Sequence, residues 1–207
     1  MPANRKLVFA SAFLLVLSVL AVLTAGLINK AGTPAASSSL QKPPVPPAAF
    51  ELLDENNRQV TQASYADTLK LIYFGFTYCP DVCPNQLSVM AEALDLLDAE
   101  TLASVTPLLI TLDPERDTAQ TIKTYTDFFH PKLVGLTGTP GQIQQAAARF
   151  KVYFAKVEDD LSAADYTIDH SSIVFLMGRD NAYLKAFTFR DTPQGIAEAI
   201  RRAAQQD

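Results

Sequence analysis

Cysteine is scarce in this sequence, with two residues among 207, and histidine is equally so. Two cysteines allow one bridge at most, so a network of disulfides cannot hold the fold. Lysine and arginine number 17 against 22 acidic residues, for a net charge of -5. No basic cluster is large enough to track a phosphate backbone, which excludes nucleic acid as a partner. There is also no glycine-rich phosphate loop and no Gly-x-Ser-x-Gly elbow. Nucleotide chemistry and α/β-hydrolase catalysis therefore lack support.

What the chain does have is one long uncharged run, residues 7–28, preceded by Arg5 and Lys6 and followed by Lys30. Roughly 20 apolar residues cross a bilayer as a helix, whereas the apolar core of a cleaved signal peptide runs only about 7 to 15. An uncleaved transmembrane helix is expected. The basic pair on its N-terminal side predicts a cytoplasmic N-terminus, so the rest of the chain would lie in the periplasm or an equivalent exported compartment, anchored to the inner (cytoplasmic) membrane. Residues 31–48 are rich in proline, serine and alanine. They read as a tether, extended near its proline-rich end, which keeps the domain and its partner close to the membrane. The expected organisation is an anchor at 1–30, a tether at 31–48 and one domain at 49–207, with hydrophobic residues making up 48% of the whole sequence.

Within that domain the apolar pattern predicts a small hairpin at 50–53 and 59–61, then a buried central strand at 69–77. A helix follows, with Pro84 in its first turn and Leu87, Met90, Ala91, Leu94 and Leu97 at helical spacing. A second core strand is expected at 107–112, a helix capped by Asp117 or Thr118, a short strand at 133–136, and a helix opened by Thr139 and Pro140. Residues 151–157 read as extended and 158–168 as a polar loop. A hairpin of strands 172–177 and 183–189, and a last helix opened by Thr192 and Pro193, complete the order. The alternation predicts an α/β domain with a mixed central sheet flanked by helices, and a thioredoxin-like arrangement fits it.

The two cysteines, Cys79 and Cys83, fall between the central strand and the first helix. A bridge closing so short a loop removes little denatured-state entropy, so a chemical role explains the pair better than an inert staple. The positive end of the helix favours both thiolates. His170, directly before an expected strand, can face the same corner, with Asp169 beside it to orient the ring. Two sulfurs and one imidazole suit Cu(I), and Cu(II) with an added oxygen ligand; zinc usually takes a fourth ligand. His130 reads as a helix-end cation, and Met90 and Met177 as core packing. The acidic segment Asp113-Pro114-Glu115-Arg116-Asp117 ends a core strand on the same rim and reads as surface pairs, or as a site-shaping or docking element.

The stretch from Tyr73 to Pro84, Tyr-Phe-Gly-Phe-Thr-Tyr-Cys-Pro-Asp-Val-Cys-Pro, resembles the signature of the Sco/SenC copper-delivery family. Asp113-Pro114-Glu115-Arg116-Asp117-Thr118, Gly135-Leu136-Thr137-Gly138-Thr139 and Asp169-His170-Ser171 agree in order and spacing. The resemblance covers roughly residues 50–203 and implies a thioredoxin-like fold in which Cys79, Cys83 and His170 bind one copper ion. It further implies assembly of the copper A centre in subunit II of cytochrome c oxidase, by copper donation, by reduction of that site's cysteines, or by both. An upstream copper donor or thiol reductant would then be a further partner. Tyr78 departs from the histidine that many members carry before the first cysteine. A thiol-disulfide oxidoreductase without metal is the alternative expectation.

Overall fold

The computed structural model describes residues 50–158 and 165–206. The expected anchor at 1–30 and tether at 31–48 lie outside the described residues. Among the described residues, no helix is long and apolar enough to cross a membrane.

Strands β1 (Glu51–Asp54) and β2 (Gln59–Thr61) form the expected antiparallel hairpin. Asp54 closes its turn, because Oδ1 accepts from the backbone N–H groups of Asn56 at 2.8 Å and Arg58 at 2.9 Å. Strand β3 (Leu69–Gly75) is buried at every position, as a central strand covered on both faces must be. Lys70 is its one charged residue, and its Nζ donates to the carbonyls of Gly178 at 2.8 Å and Arg179 at 3.0 Å. Beyond β3 come β4 (Val105–Thr111), parallel to β3, and β5 (Val134–Thr137), parallel to β4 and antiparallel to β1. On the other side β8 (Val174–Met177) pairs antiparallel with β3, and β9 (Tyr183–Phe187) pairs antiparallel with β8. The seven strands run in the order β2-β1-β5-β4-β3-β8-β9, a mixed sheet as expected.

Helix α1 (Val82–Asp95) carries Leu87, Met90, Ala91 and Leu94 into the core. A short helix α2 (Ala99–Ala103) follows, capped by Asp98, whose Oδ1 accepts from Thr101 N–H at 2.9 Å. Five residues are too few for apolar periodicity to register, so this turn has no counterpart in the sequence pattern. The caps of α3 (Ala119–Phe129), α4 (Pro140–Phe150) and α5 (Pro193–Ala204) are Thr118, Thr139 and Thr192, each accepting a backbone N–H from the first turn. Met90 and Met177 are core residues, 1% and 2% exposed.

The expectation of a loop before His170 fails. The polar stretch read as a loop at 158–168 ends in strand β7 (Tyr166–His170), which pairs antiparallel with β6 (Phe154–Glu158) in a separate two-stranded ribbon. Ile168 is the one fully buried residue of β7, so the segment lacks the apolar density by which a strand is recognised. His170 therefore closes strand β7 as well as preceding the apolar strand β8.

Helix α3 lies so close to β5 that a Cβ on Gly135 would sit 2.7 Å from Ile122 Cγ1 and 2.9 Å from its Cγ2. Gly135→Ala is expected to destabilise the fold by about 1–3 kcal/mol through this overlap. Ile122→Ala removes the clashing atoms, so the double variant should lose less than the sum of the two single losses, as measured by denaturant unfolding. Simple additivity would contradict the close packing.

Candidate metal centre

Strand β3 delivers the chain to the rim, where Cys79 N–H donates to Phe76 O at 3.4 Å in a tight turn. Helix α1 then begins with Pro84 in its first turn, where a missing N–H costs nothing. Asp81 occupies the N-cap position without capping: its Oδ1 accepts from Asn85 Nδ2 at 2.6 Å. The sulfur of Cys79 takes the cap's place, accepting from Cys83 N–H at 3.3 Å.

Cys83 is fully buried and Cys79 half-buried, and both are free thiols. Glycine at position 75 makes room for the buried sulfur: a Cβ there would lie 3.0 Å from Cys83 Sγ and 2.9 Å from Tyr73 Cε1. His170 Nε2 approaches Cys83 Sγ to 3.5 Å, and its Nδ1 lies 3.2 Å from the carbonyl of Ser171. A carbonyl can only accept, so Nδ1 carries a proton there, and Nε2 is the ring nitrogen turned to the sulfurs. Asp169, expected to orient the ring, is exposed; the Ser171 carbonyl does that work instead. The rings of Tyr73 and Phe76 pack edge-on against the imidazole, at 6.2 and 5.9 Å between centroids.

The two thiols differ, contrary to the expectation that the helix end favours both as thiolates. The hydrogen bond from the Cys83 thiol, with smaller help from His170 and the backbone N–H groups of Cys83 and Asp81, pulls Cys79 down to about 4 against its partial burial. The same hydrogen bond, together with burial and the Cys79 charge, pushes Cys83 up. One proton is thus held on the buried sulfur, and the more accessible one is a thiolate.

The donor atoms of Cys79, Cys83 and His170 all lie within 4.8 Å of one another. Among the described residues no second group of three or more such side chains comes together. A soft, sulfur-rich set with one imidazole nitrogen fits Cu(I). His130 stays away from this group: it caps the end of α3, its Nδ1 accepts from Lys132 N–H at 3.1 Å, and burial lowers its pKa. A helix-end cation was expected there; desolvation favours the neutral ring.

The acidic segment proves to be architecture. Asp113 and Asp117 are both 0% exposed. Asp117 accepts from Thr77 N–H at 3.0 Å and Thr111 Oγ1 at 2.6 Å, and its backbone carbonyl accepts from Thr137 Oγ1 at 2.8 Å. It therefore binds the cysteine loop to β4 and β5. Burial raises its pKa, opposed by the Thr111 and Thr77 hydrogen bonds. Gly75, Thr77 and Ser171 fall within the family-like motifs but were given no role at the site; of the three, only the glycine, at the end of an apolar run, carries a physical signal of close approach.

In the reduced protein, alkylation of Cys79 by iodoacetamide should change little from roughly pH 6 to 8, since its thiolate is already formed. An ordinary thiol, with a pKa of about 8.5, would accelerate steeply across that range. Cys83→Ala removes the donating thiol and should restore part of that steepness. Mass spectrometry of the labelled cysteine reads both outcomes, and a steep native profile would refute the shared proton.

The family model described as SCO1/SenC matches residues 39–205. The chain is 43% identical over 155 residues to the mitochondrial protein SCO1 homolog of Homo sapiens, covering 73% of this chain and 50% of that one. It is 40% identical over 152 residues to a SCO2-like protein of Rickettsia felis, covering 73% and 74% respectively. The structure of Bradyrhizobium japonicum ScoI with copper bound superposes with a TM-score of 0.69 at 37% identity, covering 75% of this chain and 97% of that one. Fold, motif and extended sequence identity agree, and the chain belongs to the SCO1/SenC family.

Proposed function

We propose that this protein is a membrane-tethered copper chaperone. Reduced Cys79 and Cys83 with His170 hold one copper ion, which is delivered to the copper A centre of cytochrome c oxidase subunit II during oxidase assembly. The observation that carries this reading is the convergence of an imidazole nitrogen and two sulfurs, all within 4.8 Å of one another. The copper held by the similar B. japonicum ScoI supports it, and so does the family resemblance of the motifs. The uncharged run at 7–28 and the tether at 31–48 support an anchored domain working in the periplasm.

The inequality of the two sulfurs suits capture and release. Cu(I) meets a ready thiolate at Cys79, and coordination by Cys83 displaces its proton to solvent. Three donors leave a coordination position through which an acceptor thiolate can enter, and half-buried Cys79 is the ligand it can replace. Buried Cys83 and His170 hold the ion until that exchange. Oxidation of the pair to a disulfide abolishes binding, so loading requires an upstream thiol reductant as well as a copper donor.

A specific observation also favours the oxidoreductase reading: a half-buried thiolate stands next to a protonated thiol. Cys79 would attack a disulfide of the copper A site, and Cys83 would resolve the mixed disulfide. The acceptor leaves as a dithiol, and a Cys79 to Cys83 disulfide remains. His170 is dispensable in that cycle.

Anaerobic titration of the reduced protein should therefore show one Cu(I) per chain, with tight binding lost in Cys79→Ser and Cys83→Ser. His170→Ala should weaken binding by about tenfold or more, equivalent to at least ~1.4 kcal/mol. Copper-loaded protein mixed with apo subunit II should pass its metal on. Native affinity in His170→Ala, joined to undiminished reduction of subunit II, would overturn the chaperone in favour of the reductase.

A further inference from the structure

His170 reaches the cysteines from outside the seven-stranded sheet. Strand β7 pairs with β6, and the ribbon they form belongs to no other sheet among the described residues. A two-stranded ribbon is marginal by itself, so its placement over the cysteines depends on side-chain contacts with the rim.

Ile168 anchors the ribbon in the core, and the polar contacts gather on Arg116. Its Nη1 donates to the backbone carbonyl of Tyr166 at 3.0 Å, and its guanidinium carbon lies 3.8 Å from the Tyr166 ring centroid. The same guanidinium carbon lies 4.7 Å from the centroid of Tyr78, the residue directly before Cys79. Its Nε is paired with the Asp113 carboxylate, whose Oδ1 also accepts from the Tyr166 hydroxyl at 2.8 Å. Lys156 of β6 adds an ion pair to Glu115 at 2.5 Å. The base beneath this cluster is rigid, because Asp117 N–H donates to Asp113 O at 2.8 Å and Asp117 is bonded to β4 and the cysteine loop. One planar cation thus touches an aromatic ring on each of the two segments that carry the metal donors.

We propose that Arg116 is a positioning residue for the metal centre: it clasps the ribbon that carries His170 to the loop that carries Cys79, and so sets the imidazole's approach to the sulfurs. The inference rests on the copper reading above. Arginine fits the task where lysine does not. A flat guanidinium can stack on both rings while its edge donates to a carbonyl and a carboxylate, and a compact ammonium cannot do both.

The test uses Arg116→Met and Arg116→Lys, alone and combined with His170→Ala. In the metal-free reduced protein, nuclear Overhauser contacts between the His170 ring and the rings of Tyr73 and Phe76 should weaken in Arg116→Met. Amide exchange of residues 166–170 should quicken as well. Cu(I) affinity should fall about 10- to 100-fold, the usual range when a group supporting a metal ligand is removed. In the His170→Ala background the same substitution should change affinity by less than about twofold, since the ligand it positions is gone. Arg116→Lys should show the same dependence on His170 with a smaller loss, and it serves if the methionine variant does not fold.

Unchanged ring contacts together with near-native copper affinity would overturn the clasp. An equal loss of affinity with and without His170 would also overturn it, because Arg116 would then act on the cysteines or on the fold. If the native protein binds no copper, the copper reading fails on its own, and the ring contacts of the metal-free protein still decide whether Arg116 holds the ribbon.

Discussion

The sulfur of Cys83, buried and 3.5 Å from the Nε2 of His170, is the point about which the rim of this protein is arranged. A buried thiolate with no partner would be costly, so the proton stays on Cys83 and the negative charge moves to Cys79, where water and a helix N-terminus can stabilise it. That division makes two chemically alike residues unlike. The half-buried sulfur can meet an incoming ion or an acceptor thiolate, and the inner one holds what has been captured.

Several features follow from keeping that inner sulfur in place. Gly75 leaves the space it occupies, the edges of Tyr73 and Phe76 confine the imidazole that faces it, and the Ser171 carbonyl holds Nδ1 so that Nε2 faces the sulfur. The carboxylate of Asp117 binds the cysteine loop to the sheet from below through Thr77 and Thr111. These groups carry no metal-binding chemistry of their own. They fix geometry, and a soft-metal site needs fixed geometry if it is to discriminate between ions and still release one.

The fold and the site were legible in the sequence to different depths. The central strand, the threonine caps of α3, α4 and α5, and the strand-to-helix position of the cysteines depend on residues a few places apart, and the structure has them where the pattern puts them. Strand β7 was hidden because its residues are mostly polar and only its pairing with β6 reveals it. The roles of Asp113, Arg116 and Asp117 were hidden for a different reason. A dense run of charge reads as solvated surface, and the burial of both aspartates is created only when β3, β4 and β5 come together.

By itself the sequence determined the α/β order of elements, the pairing of two thiols at a helix start, and a motif set specific enough to indicate the family. Those are properties of neighbouring residues, and spacing along the chain conveys them. The tertiary structure alone decided which thiol keeps the proton, which nitrogen of His170 faces the sulfurs, and that an arginine joins the two segments carrying the donors. The partners in the central contact, Cys83 and His170, stand 87 positions apart. Local propensity acts over a few residues, so a contact of that separation exists only once the sheet has formed and the ribbon has been laid across its rim.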